Sequence, residues 1–168
     1  PPVLERRDLV SLIKAYTERN LLDDAERILA LLVEHRSEVN AKNAFCILIQ
    51  HYTATKNNDG LERMHTLLQQ ASCVIESEIG CQVMSLLTKG FVATNNQRMV
   101  DSIRNTYDRL FVISDDTKPS VIYDIQMYFN NLLEGYYRWR NYETISAIWR
   151  TILERQVLLN HLIFIKVL

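Results

Sequence analysis

Four histidines and three cysteines are the side chains whose types suit metal binding or attack on a substrate, and their spacing argues against both. His35, His51, His65 and His161 form no ligand pattern with one another or with Cys46, Cys73 and Cys81. A structural zinc site needs closely spaced pairs, and none occurs here. No glycine-rich phosphate loop occurs, and no Ser/His/Asp or Cys/His arrangement can be argued from the chain. Asp115 and Asp116 read as solvated loop charges. The sequence therefore reads as a non-enzyme, with no catalytic residues, no metal site and no cofactor. What remains is binding chemistry. Lys14, Lys89 and Arg138 have the charge to meet phosphates as salt-sensitive positioning contacts, although Glu18 and Glu134 stand beside them. Tyr136, Tyr137, Trp139, Tyr142 and Trp149 supply rings able to stack on bases. Tyr136 and Trp149 fall on apolar stripes and belong to the core. Tyr137 and Trp139 fall off them and, next to Arg138 and Arg140, suit a partner surface.

The elements that must position these groups repeat. Leu9/Leu12/Ile13/Tyr16, Phe45/Leu48/Ile49/Tyr52, Met84/Leu87/Thr88/Phe91 and Phe129/Leu132/Leu133/Tyr136 each occupy i, i+3, i+4 and i+7. That spacing is one stripe of an α-helix. Sixteen residues later each has a partner: Ala25/Ile28/Leu29/Leu32, Leu61/Met64/His65/Leu68, Val100/Ile103/Arg104/Tyr107 and Ile145/Ile148/Trp149/Ile152. The copies are offset by 36, 39 and 45 residues, so the hairpin is constant while its joins vary. This predicts an all-α fold: an α-solenoid of helix-turn-helix repeats, about four plus the start of a fifth. His65, on a core stripe, is expected half-buried with a hydrogen bond, and Arg104 is expected to reach outward along its aliphatic stem.

Helices are predicted at roughly 4–19, 23–35, 39–55, 59–72, 76–94, 97–111, 120–139, 142–155 and from 158 onward. Asn20 and Asn95 stand where a left-handed residue would close a helix. Asp23, Asp59 or Asn58, Asn96 and Asn141 are the expected N-caps of the second helices. The longest join, FVISDDTKPS (111–120), holds an internal proline, and Pro119 suits the first position of a helix. Its extra residues imply a surface loop or a longer following helix.

Composition sets outer limits. With 19 basic and 20 acidic residues the net charge is −1, so no overall field draws the chain to nucleic acid; only a local basic stripe would. An odd, scattered set of cysteines argues against a disulfide framework and for a reducing compartment. The apolar run 162–168 is too short and interrupted to span a bilayer and reads as a cut-off repeat in an excerpt of a longer array. The chain is taken as one helical-repeat domain over 1–168, with repeats at about 7–42, 43–81, 82–126 and 127–162 and a partial fifth at 163–168.

Leu12 to Leu32 (LIKAYTERNLLDDAERILALL) resembles a pentatricopeptide repeat: a Leu-Ile pair, an aromatic three residues on, a turn, then an Asp-Asp-Ala-Glu opening. Leu48 to Leu68 repeats it 36 residues later, Asn130 to Trp149 is similar, and Leu87 to Ile103 matches less well. The resemblance covers most of residues 8–155. It implies single-stranded RNA as the partner, mitochondrial mRNA or rRNA, in the mitochondrial matrix, in RNA processing, stability or translation. It also implies one base per repeat, read by side chains of the first helices. One reading slot then falls on Ser11, Ile47, Leu86 and Asn131, and the other on Lys42, Cys81, Gln126 and Leu162. Ser11 and Asn131 have the chemistry to hydrogen-bond a base edge, whereas Ile47 and Leu86 can only pack against one. The RNA-binding set is therefore Ser11, Lys14, Lys42, Lys89, Gln126, Asn131 and Arg138. The apolar slots and the balanced charge also fit a second reading, a protein-interaction scaffold within a large assembly such as a mitochondrial ribosome.

Overall fold

The computed structural model describes residues 6–35, 37–71 and 78–157. Among these, every regular element is helical: α1 (Arg6–Glu18), α2 (Leu22–Glu34), α3 (Glu38–Ala54), α4 (Asn58–Gln70), α5 (Glu78–Ala93), α6 (Gln97–Tyr107), α7 (Pro119–Arg138) and α8 (Tyr142–Glu154). They form four consecutive hairpins, each spanning one pair of quartets. The largest boundary difference is at α6, which ends at Tyr107 and tightens into a 3₁₀ turn, Asp108–Leu110. The helix expected from 158, the partial fifth repeat, Cys73, His161 and Leu162 lie outside the described residues.

Every hairpin turn has the same geometry. Asn20, Lys56, Asn95 and Arg140 all carry a positive φ, between 51° and 60°. Asn20 and Asn95 are the expected left-handed residues; Lys56 and Arg140 hold the same register without their tolerance of it. The next residue donates its N–H back to the helix: Leu21 to the Tyr16 carbonyl at 2.9 Å, Asn57 to Tyr52 at 2.8 Å, Asn96 to Phe91 at 2.8 Å and Asn141 to Tyr136 at 2.9 Å. The paired bonds of shorter span run from Asn20, Lys56, Asn95 and Arg140 to carbonyls three residues earlier at 3.0–3.2 Å, completing a Schellman closure. The accepting carbonyl is in each case that of the quartet's last, aromatic residue. One residue thus anchors the core and closes the helix. The second helices then open on Asn57, Asn96 and Asn141, whose side chains accept from Gly60, Met99 and Thr144. Asn96 and Asn141 are the caps expected. Asp23, Asp59 and Asn58 are not caps: the positions fall to Leu21, which caps with no side-chain bond, and to Asn57, because the left-handed residue starts the next helix one or two residues earlier.

The stripes form the core. All eight first-helix quartet residues of the second and third hairpins have no exposed surface, and those of the fourth have almost none. Burying one such leucine or phenylalanine stabilises by roughly 1.5–3 kcal/mol before chain entropy is counted. One hydrophobic cluster runs from Ile13 to Val157 among the described residues. The first helices pack in series, α1 on α3, α3 on α5 and α5 on α7, and each second helix also touches the first helix that follows it. Close approach needs small residues. A Cβ at Gly90 would stand 2.7 Å from Thr53 Oγ1 on α3, and one at Gly135 2.8 Å from Val92 Cγ2 on α5. Gly90 and Gly135 occupy the same register of α5 and α7.

The long third join contributes both a loop and a longer helix. Phe111–Lys118 is irregular, and α7 opens at Pro119 and runs for 20 residues. Arg155, just past α8, fixes the start of this join by donating Nη1 to the carbonyls of Asp108 (2.9 Å) and Phe111 (3.1 Å) while its guanidinium pairs with the Asp108 carboxylate.

Candidate nucleic-acid interface

Register places a row of side chains along the first helices, one per hairpin. Lys14, Gln50, Lys89 and Glu134 are equivalent positions, and all four are exposed. Between α3 and α5 this row borders a depression of about 290 Å³ lined by Ile49, Gln50, Thr53, Ala54, Leu86 and Lys89. An apolar floor beside an ammonium group is an arrangement able to hold a flat ring and an adjoining phosphate.

One turn toward the helix N-termini the surface closes. Ser11 is exposed, Ile47 and Leu86 are half-buried, and Asn131 is only 6% exposed. Asn131 donates its amide to the Ser85 carbonyl at 3.2 Å, across the α5–α7 contact. It therefore ties two first helices together and presents no edge to a base. A further turn on, Ala44, Val83 and Tyr128 are buried, while the equivalent Asp8 on α1 is exposed. Of these three rows along the first helices, only the one nearest the helix C-termini, the lower row, is thus exposed in all four. An interior helix has neighbours on both sides, so its buried arc is wider than the single quartet.

Lys42 and Gln126, the polar residues of the second slot, lie within helices, as the predicted spans have them. Lys42 is half-buried in the first turns of α3, and Gln126 is half-buried on α7. Cys81, the slot between them, is buried, with its Sγ 3.3 Å from the Leu110 carbonyl. Arg138 keeps about half of its side chain exposed, but its guanidinium donates to the Val92 carbonyl at the end of α5 (3.0 Å) and to Glu134 (3.2 Å). Arg138 thus neutralises Glu134 and complements the C-terminal end of α5, so Lys14 and Lys89 carry the exposed positive charge of the row.

The aromatic residues separate differently from the sequence expectation. Tyr136 is buried and Trp149 is packed against the core, whereas Tyr137 and Tyr142 are 48% and 60% exposed. Trp139 is not a free surface ring. It crosses edge-on to Tyr136 at 5.4 Å and donates its indole N–H to Asn95 in the preceding turn. Trp139 is the C-cap of α7, past the point where helical periodicity predicts direction.

A polar series that the stripes did not reveal joins the hairpins on the other side. Glu26, Glu62 and Asp101 are register-equivalent carboxylates on α2, α4 and α6. The buried Tyr52 donates its hydroxyl to Glu26, and Tyr136 donates to Asp101. In the hairpin between them the tyrosine is replaced by Phe91, and Glu62 instead accepts from Asn58, Asn96 and Arg98 at 3.0–3.2 Å. Those donors hold the Glu62 carboxyl below its ordinary range, Asn96 contributing most. Arg63 completes the first node, meeting Glu26 at 3.0 Å with its guanidinium 5.9 Å from the centre of the Tyr52 ring. The signal was present in sequence as a carboxylate one residue after the first three second-helix stripes begin; the fourth has Ser146 there.

His65 is more buried than expected. Its Nε2 has no hydrogen-bond partner, the ring lies edge-on to Phe91 and Tyr107, and burial holds its pKa below 6.5. Arg104 is half-exposed, its charge acting on Tyr136. No group of three or more His, Cys, Asp or Glu among the described residues is placed to hold a metal ion. No helix among them is long and apolar enough to cross a membrane. Burial pushes the Cys46 thiol up to about 11, against the pull of Lys42, which removes its thiolate character near neutral pH. Comparison of the chain with protein-family models, curated proteins and solved structures returned no match.

Proposed function

We propose that the chain is a segment of an α-solenoid of the pentatricopeptide type that holds single-stranded RNA along the lower face of its first helices, in mitochondrial RNA processing, stability or translation. The observation that supports this most directly is the exposed row Lys14, Gln50, Lys89 and Glu134 with the depression between α3 and α5 beneath it. Lys14 and Lys89 meet phosphates, and a base settles against the half-buried Leu86. Such contacts position a strand without reading it. With Ile47 and Leu86 apolar and Asn131 bonded to Ser85, the segment tolerates sequence. A row with two cations, one amide and one carboxylate gives weak, salt-sensitive affinity on its own. The resemblance supplies the assignment to organellar RNA, and no catalytic role is assigned. Charge reversal at Lys14 and Lys89 tests the reading: RNA affinity should fall at least tenfold with helix content unchanged, and unchanged affinity rejects this face.

A second reading, a scaffold within a large assembly such as a mitochondrial ribosome, draws on a different surface. Tyr137 and Tyr142 are exposed at the last hairpin turn, and Leu153 is 73% exposed on α8. Exposed aromatic and aliphatic side chains of this kind are common anchors in protein interfaces. Protein capture that survives reversal of Lys14 and Lys89 but is lost on replacing Tyr137, Tyr142 and Leu153 by serine would select it.

A further inference from the structure

The second helices enclose a groove that the first-helix row does not reach. It lies between α2 and α4, has a volume of about 750 Å³ and follows α4 from Asp59 to Gln70, three turns or about 16 Å. Ala30 of α2 is exposed along its middle, and Leu67 of α4 is half-buried opposite. Charge is uneven along the groove. Arg63 pairs across it with Glu26 at 3.0 Å, Glu62 pairs with Arg98 at 3.1 Å, and Asp24 meets Arg27 at 3.7 Å. Asp23 and Asp59 are left over. Both are exposed, and neither has a hydrogen-bond or ion-pair partner among the described residues. They are equivalent residues of successive hairpins, each in the first turn of its helix, so the unbalanced negative charge stands at one end of the groove. Toward the other end Ala30, Leu67 and Gln70 carry none. We propose that this groove docks a basic amphipathic helix of a partner protein, antiparallel to α2 and α4, with its C-terminal turn at Asp23 and Asp59. The leftover carboxylates call for lysine or arginine and repel nucleic acid. Apolar side chains one and two turns before those cations reach Leu67 and Ala30, the spacing by which an amphipathic helix seats in a groove. The direction follows from the dipoles. The positive N-terminal ends of α2 and α4 lie at the carboxylate end, where the terminal carbonyls of an antiparallel helix meet them, and cations in that last turn also favour the docked helix itself.

Fluorescence anisotropy of the whole chain with labelled peptides tests the groove. The probe is an alanine–leucine helix of about 14 residues, long enough for three turns, with arginines in its last turn and an amidated C-terminus. One companion carries glutamates in place of the arginines, and a second carries the arginines in its first turn. The probe is expected to bind at least about tenfold more tightly than the glutamate companion and about threefold more tightly than the reversed one, from two surface ion pairs and one dipole contact. Asp23→Asn together with Asp59→Asn should remove about fivefold. Asp115→Asn with Asp116→Asn, the same change of charge in the loop before α7, should remove none. Ala30→Arg, at an exposed helical position, should block the probe with helical circular dichroism unchanged. Equal binding of the arginine and glutamate peptides, equal binding of the two orientations, or an Asp23/Asp59 variant no weaker than the Asp115/Asp116 variant overturns the proposal. A dimer seen by light scattering and dissociated by Ala30→Arg would place a second copy in the groove and overturn it as well. The groove shares no residue with the row from Lys14 to Glu134, so probe binding without RNA binding supports the groove and rejects the RNA face alone.

Discussion

Gly60→Ala should destabilise this protein, although alanine is the better helix former. A Cβ built at Gly60 meets three atoms of the Tyr52 ring, Cδ1 at 2.6 Å and Cε1 and Cγ at 2.7 Å. Ordinary packing would require the ring to retreat by roughly 1 Å, and it has nowhere to go: Tyr52 is fully buried and tied by its hydroxyl to Glu26. The helix-propensity gain is at most about 1 kcal/mol. Overpacking costs about 1–3 kcal/mol, and a hydrogen bond to a carboxylate broken by ring rotation adds about 1.5 kcal/mol. The net expectation is a loss of about 1.5–3.5 kcal/mol, or roughly 3–14 °C in Tm for a domain of this size. Urea unfolding followed by circular dichroism measures it. The same substitution in a Tyr52→Ala background should become neutral or stabilising, since the methyl enters vacated space, and the difference between backgrounds is the coupling of the pair. A Gly60→Ala variant as stable as the parent, or no coupling, would refute the claim that α4 is seated on the Tyr52 ring.

Four further perturbations have defined outcomes. Tyr52→Phe and Tyr136→Phe should each cost about 1–1.5 kcal/mol by urea unfolding, the low end for a bond to a charged group because Glu26 and Asp101 keep some access to water; no loss in either would mean that the tyrosine–carboxylate links do not join the hairpins. Lys56→Gly and Arg140→Gly should each stabilise by about 0.5–1 kcal/mol in the same assay, since both side chains sit at positive φ (51° and 55°) that glycine adopts freely. His65→Leu should flatten the pH dependence of stability below about pH 6.5: with the folded pKa held below the unfolded one, the unfolded chain takes up a proton first and stability falls as the pH drops through that window. Glu62→Gln should act later on acidification, because the Glu62 pKa is lowered from 4.5, so its contribution is complete above that value and disappears as pH falls through the folded pKa.

Much of the helical arrangement was legible because a 3.6-residue period leaves a direct trace in sequence, and most quartet residues proved buried, those of α1 least so, with Leu9, Leu12 and Tyr16 half-buried. Asn20 and Asn95 were legible as left-handed closures from residue preference alone. Lys56 and Arg140 were not, since nothing about a cation suggests positive φ; only their register does. Asn131 illustrates a different limit. Its slot is solvent-exposed on α1, half-buried on α3 and α5, and enclosed on α7, because exposure depends on neighbouring helices rather than on the residue's own stripe. Trp139 escaped for a related reason, lying beyond the last helical turn. The tyrosine–carboxylate links join residues 26 and 35 positions apart, and no local pattern encodes such a pairing.

The salt dependence of single-stranded RNA binding tests the functional proposal most directly. Affinity measured between about 20 and 200 mM salt should decline log-linearly, and replacing Lys14 and Lys89 together by glutamine should reduce the slope by about 1.4, roughly 0.7 for each phosphate that is no longer neutralised on a single strand. Absence of binding at the lowest salt, or a slope unaltered by the double replacement, would contradict the assignment of RNA to this face.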